Sequence, residues 1–299
     1  MLDVVAGLEP WTLLLVLASA GLYASTLVAA GASLFRLVLV DHPALERSTG
    51  CRRSIVVAAG LAIVLTLLQA PLQAGFLAGG TLAGALDPVL LAAVVDTGQG
   101  PRIALLLAGL LLLHGVLAAP RHAALGKAAS VLGAALIVAA YTQVGHTVGG
   151  EPRGLLAALL ALHLGAVAFW VGALIPLYRL VGQPADRQQA ARTLRRFGQV
   201  ASGVVAGLVA AGAALAWLLM GGWPAWPPGA YAQAIGLKLA LLLGLLACAA
   251  SNRWWLVPAF QRAEPGAAAR LRASIAIEGL LVLCILLVTA LLTTTTPPR

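Results

Sequence analysis

Charge is what this sequence has least of. Only 10% of its 299 residues are Asp, Glu, Lys or Arg, and 61% are apolar. A soluble domain carries about 25% charged and 45–50% apolar residues. With a mean hydropathy of +0.97, there is too little polar surface to face water. This excludes a soluble globular domain and a disordered chain. Cysteine is also scarce. Cys51, Cys248 and Cys284 have no CxxC spacing, so they form neither a disulfide framework nor a zinc site by themselves. The two methionines, Met1 and Met220, are too few for a Met-rich relay of a soft metal, so any such site must lean on imidazole. No Walker A motif, phosphorylatable Asp motif or CPC-type metal motif occurs, which excludes an ATP-driven pump. No catalytic set of residues stands out, and the chain is not expected to be an enzyme. A β-barrel is excluded too, because barrel strands alternate apolar and polar over about 10 residues.

What is present is a series of unbroken apolar runs. A helix needs about 20 such residues to cross about 30 Å of hydrocarbon. Eight stretches qualify, at roughly 11–40, 54–78, 102–119, 124–146, 154–180, 197–221, 231–251 and 271–292. The expected fold class is therefore an all-α polytopic membrane protein with eight transmembrane helices. The segment 87–95 is apolar but short, and reads as an interfacial or re-entrant piece. Ala18-Ser19-Ala20 looks like a cleavage site, but Asp3 and Glu9 stand where a signal peptide needs basic residues. The first run is thus read as a membrane helix. Trp223 and Trp226 read as an interfacial aromatic anchor.

Charge sets the expected orientation. Arg36, Arg47, Arg52 and Arg53 follow the first span, and Arg121 and Lys127 the third. Arg179, Arg187, Arg192, Arg195 and Arg196 follow the fifth, and Arg253, Arg262, Arg270 and Arg272 the seventh. These are 15 of the 19 basic residues, leaving Arg102, Arg153, Lys238 and Arg299 for the other side. The positive-inside rule then puts both termini outside. The net charge of +9 belongs to inner loops, and no nucleic-acid partner is expected.

The chain shows signs of a 4+4 repeat, with halves at 1–150 and 151–299. Spans 1 and 5 each carry a glycine and then an aromatic-Arg pair, Gly31 with Phe35-Arg36 and Gly172 with Tyr178-Arg179. Spans 2 and 6 open on Arg52-Arg53 and Arg195-Arg196. Two halves of four spans insert in the same orientation, which predicts two bundles related by an axis along the membrane normal.

Polar residues inside spans are costly and are candidate functional residues. His114 lies about 18 Å along the third span and His163 about 15 Å along the fifth, with His146 at the outer end of the fourth. Glu278 sits about 10 Å from the inner end of the last span. Each has a plainer reading: a neutral His can hydrogen-bond across helices, and Glu278 can pair with an inner-side arginine. Lys238 can snorkel outward. The cysteines can be small packing residues, and His42 and His122 ordinary loop residues.

The segment from Leu162 to Leu174 contains His163, Trp170 and Gly172, and resembles the His-x6-Trp-x-Gly signature of the CopD copper resistance family. Gly145-His146, Arg196-Phe197, Lys238, Asn252-Arg253, Pro258, Glu278 and the terminal Pro297-Pro298 follow in the family's order. The likeness is stronger over 145–298 than over 1–144, where Gly31, Phe35 and Arg36 fit. The resemblance implies a bacterial inner-membrane protein that handles copper for resistance or homeostasis, beside a periplasmic copper-binding partner of the CopC type. It makes His146 and His163 the leading metal ligands. His114, at a depth similar to His163, would share an ion with it if spans 3 and 5 are neighbours. The same pair would serve as axial ligands in a haem-bearing electron-transfer protein. A third reading is a membrane scaffold for a periplasmic copper carrier, docked through Asp87, Asp96 and Glu151. No His in span 1 matches His163, so a metal site would be asymmetric.

Overall fold

A computed structural model describes residues 9–41, 43–116, 124–145, 148–182, 187–220 and 230–294. Within them the chain is helical, with no strand. The elements are α1 (Pro10–Leu39), α2 (Pro43–Thr49), α3 (Cys51–Leu77), α4 (Leu82–Ala85), α5 (Pro88–Val94), α6 (Gly100–Val116), α7 (Ala124–Tyr141), α8 (Arg153–Gly182), α9 (Arg187–Met220), α10 (Ala230–Ser251), α11 (Val257–Gln261) and α12 (Ala267–Thr294). Eight helices among the described residues are long and apolar enough to cross a membrane. The protein is an all-α, multi-pass membrane protein. The tryptophan turn at 223–226, His42, His122 and His146 lie outside the described residues.

Local chemistry explains most of the boundaries. Proline at the first turn starts α1, where its missing N–H is no loss. Gly50 takes a left-handed φ of 63° between α2 and α3, a conformation with no steric cost only for glycine. Asp87 accepts hydrogen bonds from the backbone N–H of Val89 at 2.8 Å and Leu90 at 3.2 Å, capping α5.

Two boundaries differ from expectation, while the short apolar segment 87–95 is a short helix as its length suggests. It forms α5, set off from α6 by a kinked π-helical turn, Val95–Gln99. Thr97 leaves helical geometry there, with ψ −172°. The glycines and proline of Gly98–Pro101 weaken the helix at this point, and the turn absorbs the defect as a kink. α9 begins at Arg187, ten residues before the expected start of its apolar run. Its arginine-rich first turns are held by protein contacts: Arg187 lies 4.8 Å over the Phe260 ring, and Arg195 donates to Gln261 Oε1 at 3.2 Å. α10 likewise continues through a second π-helical turn, Asn252–Leu256, into α11.

α1 and α8 form the centre. α1 packs against α3, α7, α8 and α12, and α8 against α1, α7, α9 and α12. The remaining long helices lie around them, with leucines and valines such as Val57, Leu61, Leu111 and Leu243 on the outside, where lipid replaces water. At the crossing of α1 and α8 the two backbones touch. A Cβ on Gly31 would overlap the Ala168 carbonyl, and one on Gly172 would overlap the backbone of Gly31 and Ala32. Lipid tails are as apolar as leucine, so close backbone packing between small residues replaces the hydrophobic drive that water supplies.

Gly172→Leu is therefore expected to insert but lose about 1–3 kcal/mol or more, the cost of overpacking. Gly203 has open space at its Cβ position, so Gly203→Leu should melt like the parent. Equal melting temperatures for all three proteins in detergent would show that the crossing carries no stability.

Candidate functional site

The four connections rich in Lys and Arg meet at one end of the bundle. Arg36, Lys127 and Arg196, from three of them, line one cleft of about 220 Å³ with Ser33, Asp41 and Ser130. Arg36 is bridged to Glu46 at 2.6 Å. Arg272 lies 4.3 Å over the Tyr178 ring. Arg187 donates to the Phe260 carbonyl at 3.3 Å, joining the start of α9 to α11.

The opposite end is polar in a different way. Tyr141 at the end of α7 meets α1: its hydroxyl is 2.7 Å from Thr26 Oγ1, and its ring packs edge-on to Tyr23 at 5.6 Å. Arg102, expected on an outer surface, is instead buried with its guanidinium 5.1 Å over the Tyr141 ring. It donates from Nη1 to Gln99 Oε1 at 3.2 Å, while Nε and Nη2 have no hydrogen-bond partner among the described residues. Sequence reasoning missed this cluster. The signal was the Tyr at the end of one apolar run and the Arg at the start of another.

His163 sits in the C-terminal half, about 15 Å along α8 from Arg153. Its Nδ1 is 3.3 Å from the Leu208 carbonyl of α9. A carbonyl oxygen only accepts, so Nδ1 carries the proton and Nε2 keeps the lone pair. Gly212, one turn beyond Leu208, faces the ring: a Cβ there would lie 3.3 Å from Nδ1 and Cε1. Lys238 of α10 is within electrostatic reach. The neighbour expected from sequence, as co-ligand of one ion, was His114. The imidazole takes a backbone carbonyl instead.

His114 lies in the last turn of α6, half-buried, with Nδ1 3.3 Å from the carbonyl of Leu110 on its own helix. α6 packs against α3 and α7, and is not an extensive partner of α8. The structure therefore does not bring His114 and His163 together. Among the described residues no three His, Cys, Asp or Glu side chains gather as a metal site. Of the outer acids, Asp87 caps α5 and Glu151 accepts from the Arg153 N–H at 3.3 Å, so both are used by helix starts.

Seven residues after His163, and so on nearly the same face of α8, Trp170 donates its indole N–H to Glu278 Oε2 of α12 at 3.1 Å. Asn252, in the π-helical turn after α10, donates through Nδ2 to Glu278 Oε1. Glu278 is buried, 4% exposed. The expected pairing with an inner arginine does not occur: Arg253 donates to the Gly198 carbonyl and Arg272 stacks on Tyr178. Burying an ionised carboxylate costs several kcal/mol, and hydrogen bonds to a charged acceptor return about 1.5–3 kcal/mol each. Two such bonds offset part of the cost of burying the ionised form.

Comparison with known families assigns the chain. The model of copper resistance protein D matches residues 191–292. The model of the copper resistance protein D-like N-terminal domain matches residues 1–155. The segment with His163 and Trp170 falls between the two matched ranges. No curated protein and no solved structure matches the chain. The N-terminal match alone spans more than half of the sequence, and the chain belongs to the copper resistance protein D family.

Proposed function

We propose that this protein binds copper within the membrane and carries it between periplasm and cytoplasm, with His163 as a ligand in the bilayer. The observation that carries this reading is the state of the imidazole. Metal-binding histidines usually donate their second ring N–H to a carbonyl or carboxylate, which fixes tautomer and orientation. His163 is held in this way by Leu208, and among the described residues nothing hydrogen-bonds to Nε2. Both copper oxidation states accept imidazole. The charge of Lys238 nearby opposes a cation at His163, which suits a station of passage better than a storage site. His146, at the outer end of the chain's fourth apolar run, serves as an outer station, and a periplasmic CopC-type protein supplies or receives the ion. His114 is a separate imidazole in the N-terminal half, because α6 and α8 do not pack extensively. The same separation weighs against a shared haem.

The reading includes two halves, 1–150 and 151–299, in the inner membrane with both termini outside. Its support is the packing order. α1 meets α8 and α12, the first and last long helices of the second half, and α8 meets α1 and α7, the first and last of the first half. The single basic end supports the orientation.

Two outcomes test these proposals. His163→Ala should weaken copper binding by on the order of tenfold or more while still inserting and purifying, whereas His163→Gln tests packing alone. Normal copper stoichiometry in both variants, under reducing and oxidising conditions, would remove His163 from the site. A periplasm-active reporter fused after Arg299 should be active, and one placed in the 182–192 connection silent. The reverse pattern would end the proposed orientation.

A further inference from the structure

Glu278 is the buried acid of the last span, about 16 Å along α12 from its first residue and 4% exposed. Its described neighbours are neutral. Trp170 of α8 and Asn252 of the turn after α10 each donate to one carboxylate oxygen. The charged groups nearest the basic end have other contacts, and Lys238 of α10 shares the field of His163 instead. From α1, Arg36 is bridged to Glu46. At the turn, Arg253 is bound to the Gly198 carbonyl. On α12 itself, Arg272 is stacked on Tyr178 of α8, and Arg270 pairs with Glu264 at 3.9 Å. On α8, Arg179 lies against Gly50. Cys248 of α10 is the titratable group that shares the field of Glu278. α11 brings no ionisable side chain. An anion in hydrocarbon without a counter-cation must take one up or remain expensive.

A second observation indicates which cation. Asn252 Oδ1 is buried and has no donor among the described residues. A proton on the Glu278 carboxyl supplies the donor that Oδ1 lacks, while Nδ2 continues to donate to the other carboxyl oxygen. The acid and the amide then satisfy each other. A metal ion fits poorly here, since N–H donors already point at both carboxylate oxygens. Asn252 also opens a π-helical turn, a distortion that often marks functional positions in helices.

We propose that Glu278, clasped by Trp170 and Asn252, is an exchangeable proton-binding site inside the C-terminal half. A hydronium ion from the aqueous phase gives its proton to a carboxylate oxygen and leaves as water. The neutral acid then donates to Asn252 Oδ1, and release to water reverses both steps. The site stands apart from His163 and does not depend on the copper reading.

Infrared difference spectroscopy of the metal-free, purified full chain tests it. On a pH step through neutrality, a protonated-carboxyl C=O band should appear on acidification and shift in heavy water. It should be lost in Glu278→Gln, and return in Glu278→Asp. Melting temperatures of the variants show whether they are folded, and Trp170→Phe, which removes one donor to the carboxylate, should move the band's midpoint to higher pH. Three results would overturn the proposal: no titrating band in the parent, the same band in Glu278→Gln, or a band that stays unchanged over the whole pH range in which the protein is folded. Loss of the band on adding one equivalent of copper at fixed pH, with copper bound in the parent and not in Glu278→Gln, would overturn it in favour of a metal at the carboxylate. Copper binding to His163→Ala is scored separately, so failure of one reading leaves the other open to judgement.

Discussion

The contact between Gly31 and Gly172 fixes more than one helix crossing. α8 is the element that carries both His163 and Trp170, and its rotation about its own axis decides where these side chains point. Gly172 lies nine residues beyond His163, which at 100° per residue places it on the opposite side of the helix. With Gly172 pressed on the backbone of α1, the His163 face turns to α9 and finds Leu208 and Gly212. Trp170 turns inward as well and reaches Glu278 on α12. A side chain at either glycine would push the helices apart and turn both polar groups away from their partners.

Within a bilayer the rest of the architecture follows from satisfying polar groups, since apolar contact with a neighbouring helix gains little over contact with lipid. Ser and Thr side chains return their hydroxyls to carbonyls of their own helices, as Thr26 does to Leu22 at 2.7 Å and Thr66 to Ala62 at 2.7 Å. Among the described residues the polar contacts that cross between helices are fewer; they include Trp11 with Leu72, Thr26 with Tyr141, His163 with Leu208, and Trp170 with Glu278. Basic side chains collect at one end, where guanidinium groups meet ring faces and backbone carbonyls and lie within reach of headgroups.

The spans were legible in the sequence because their signal is simple: about 20 apolar residues, interrupted by charge. The proposed orientation and repeat rest on a fainter signal, the arginines and the pair Gly31 and Gly172. What the sequence did not show was the partner of each polar group. His163 was expected to take a partner from another span or a metal; the other span supplies a backbone carbonyl, Leu208, and Gly212 beside it leaves the ring room. Glu278 was expected to find an arginine, but the arginines nearest in sequence found ring faces and carbonyls. Such choices depend on rotation about helix axes, and a run of leucines and alanines does not specify that angle. Composition marked 87–95 as too short to span, and it forms a short helix, α5, that a kink at Thr97 sets off from α6.

The two halves differ in the sign of what they bury. The N-terminal half encloses Arg102 at its tyrosine-lined end, with two guanidinium nitrogens unpaired. The C-terminal half encloses Glu278, with two neutral donors and an unpaired amide oxygen beside it. Charges inside a membrane act over longer distances than at a surface, because neither water nor salt screens them. Arg102 therefore raises the energy of any cation near it, and Glu278 lowers it when ionised. Lys238 works against a cation near His163. Close packing sets α8 against α1 through Gly31 and Gly172, and this turns the imidazole face of α8 toward α9 and the C-terminal half.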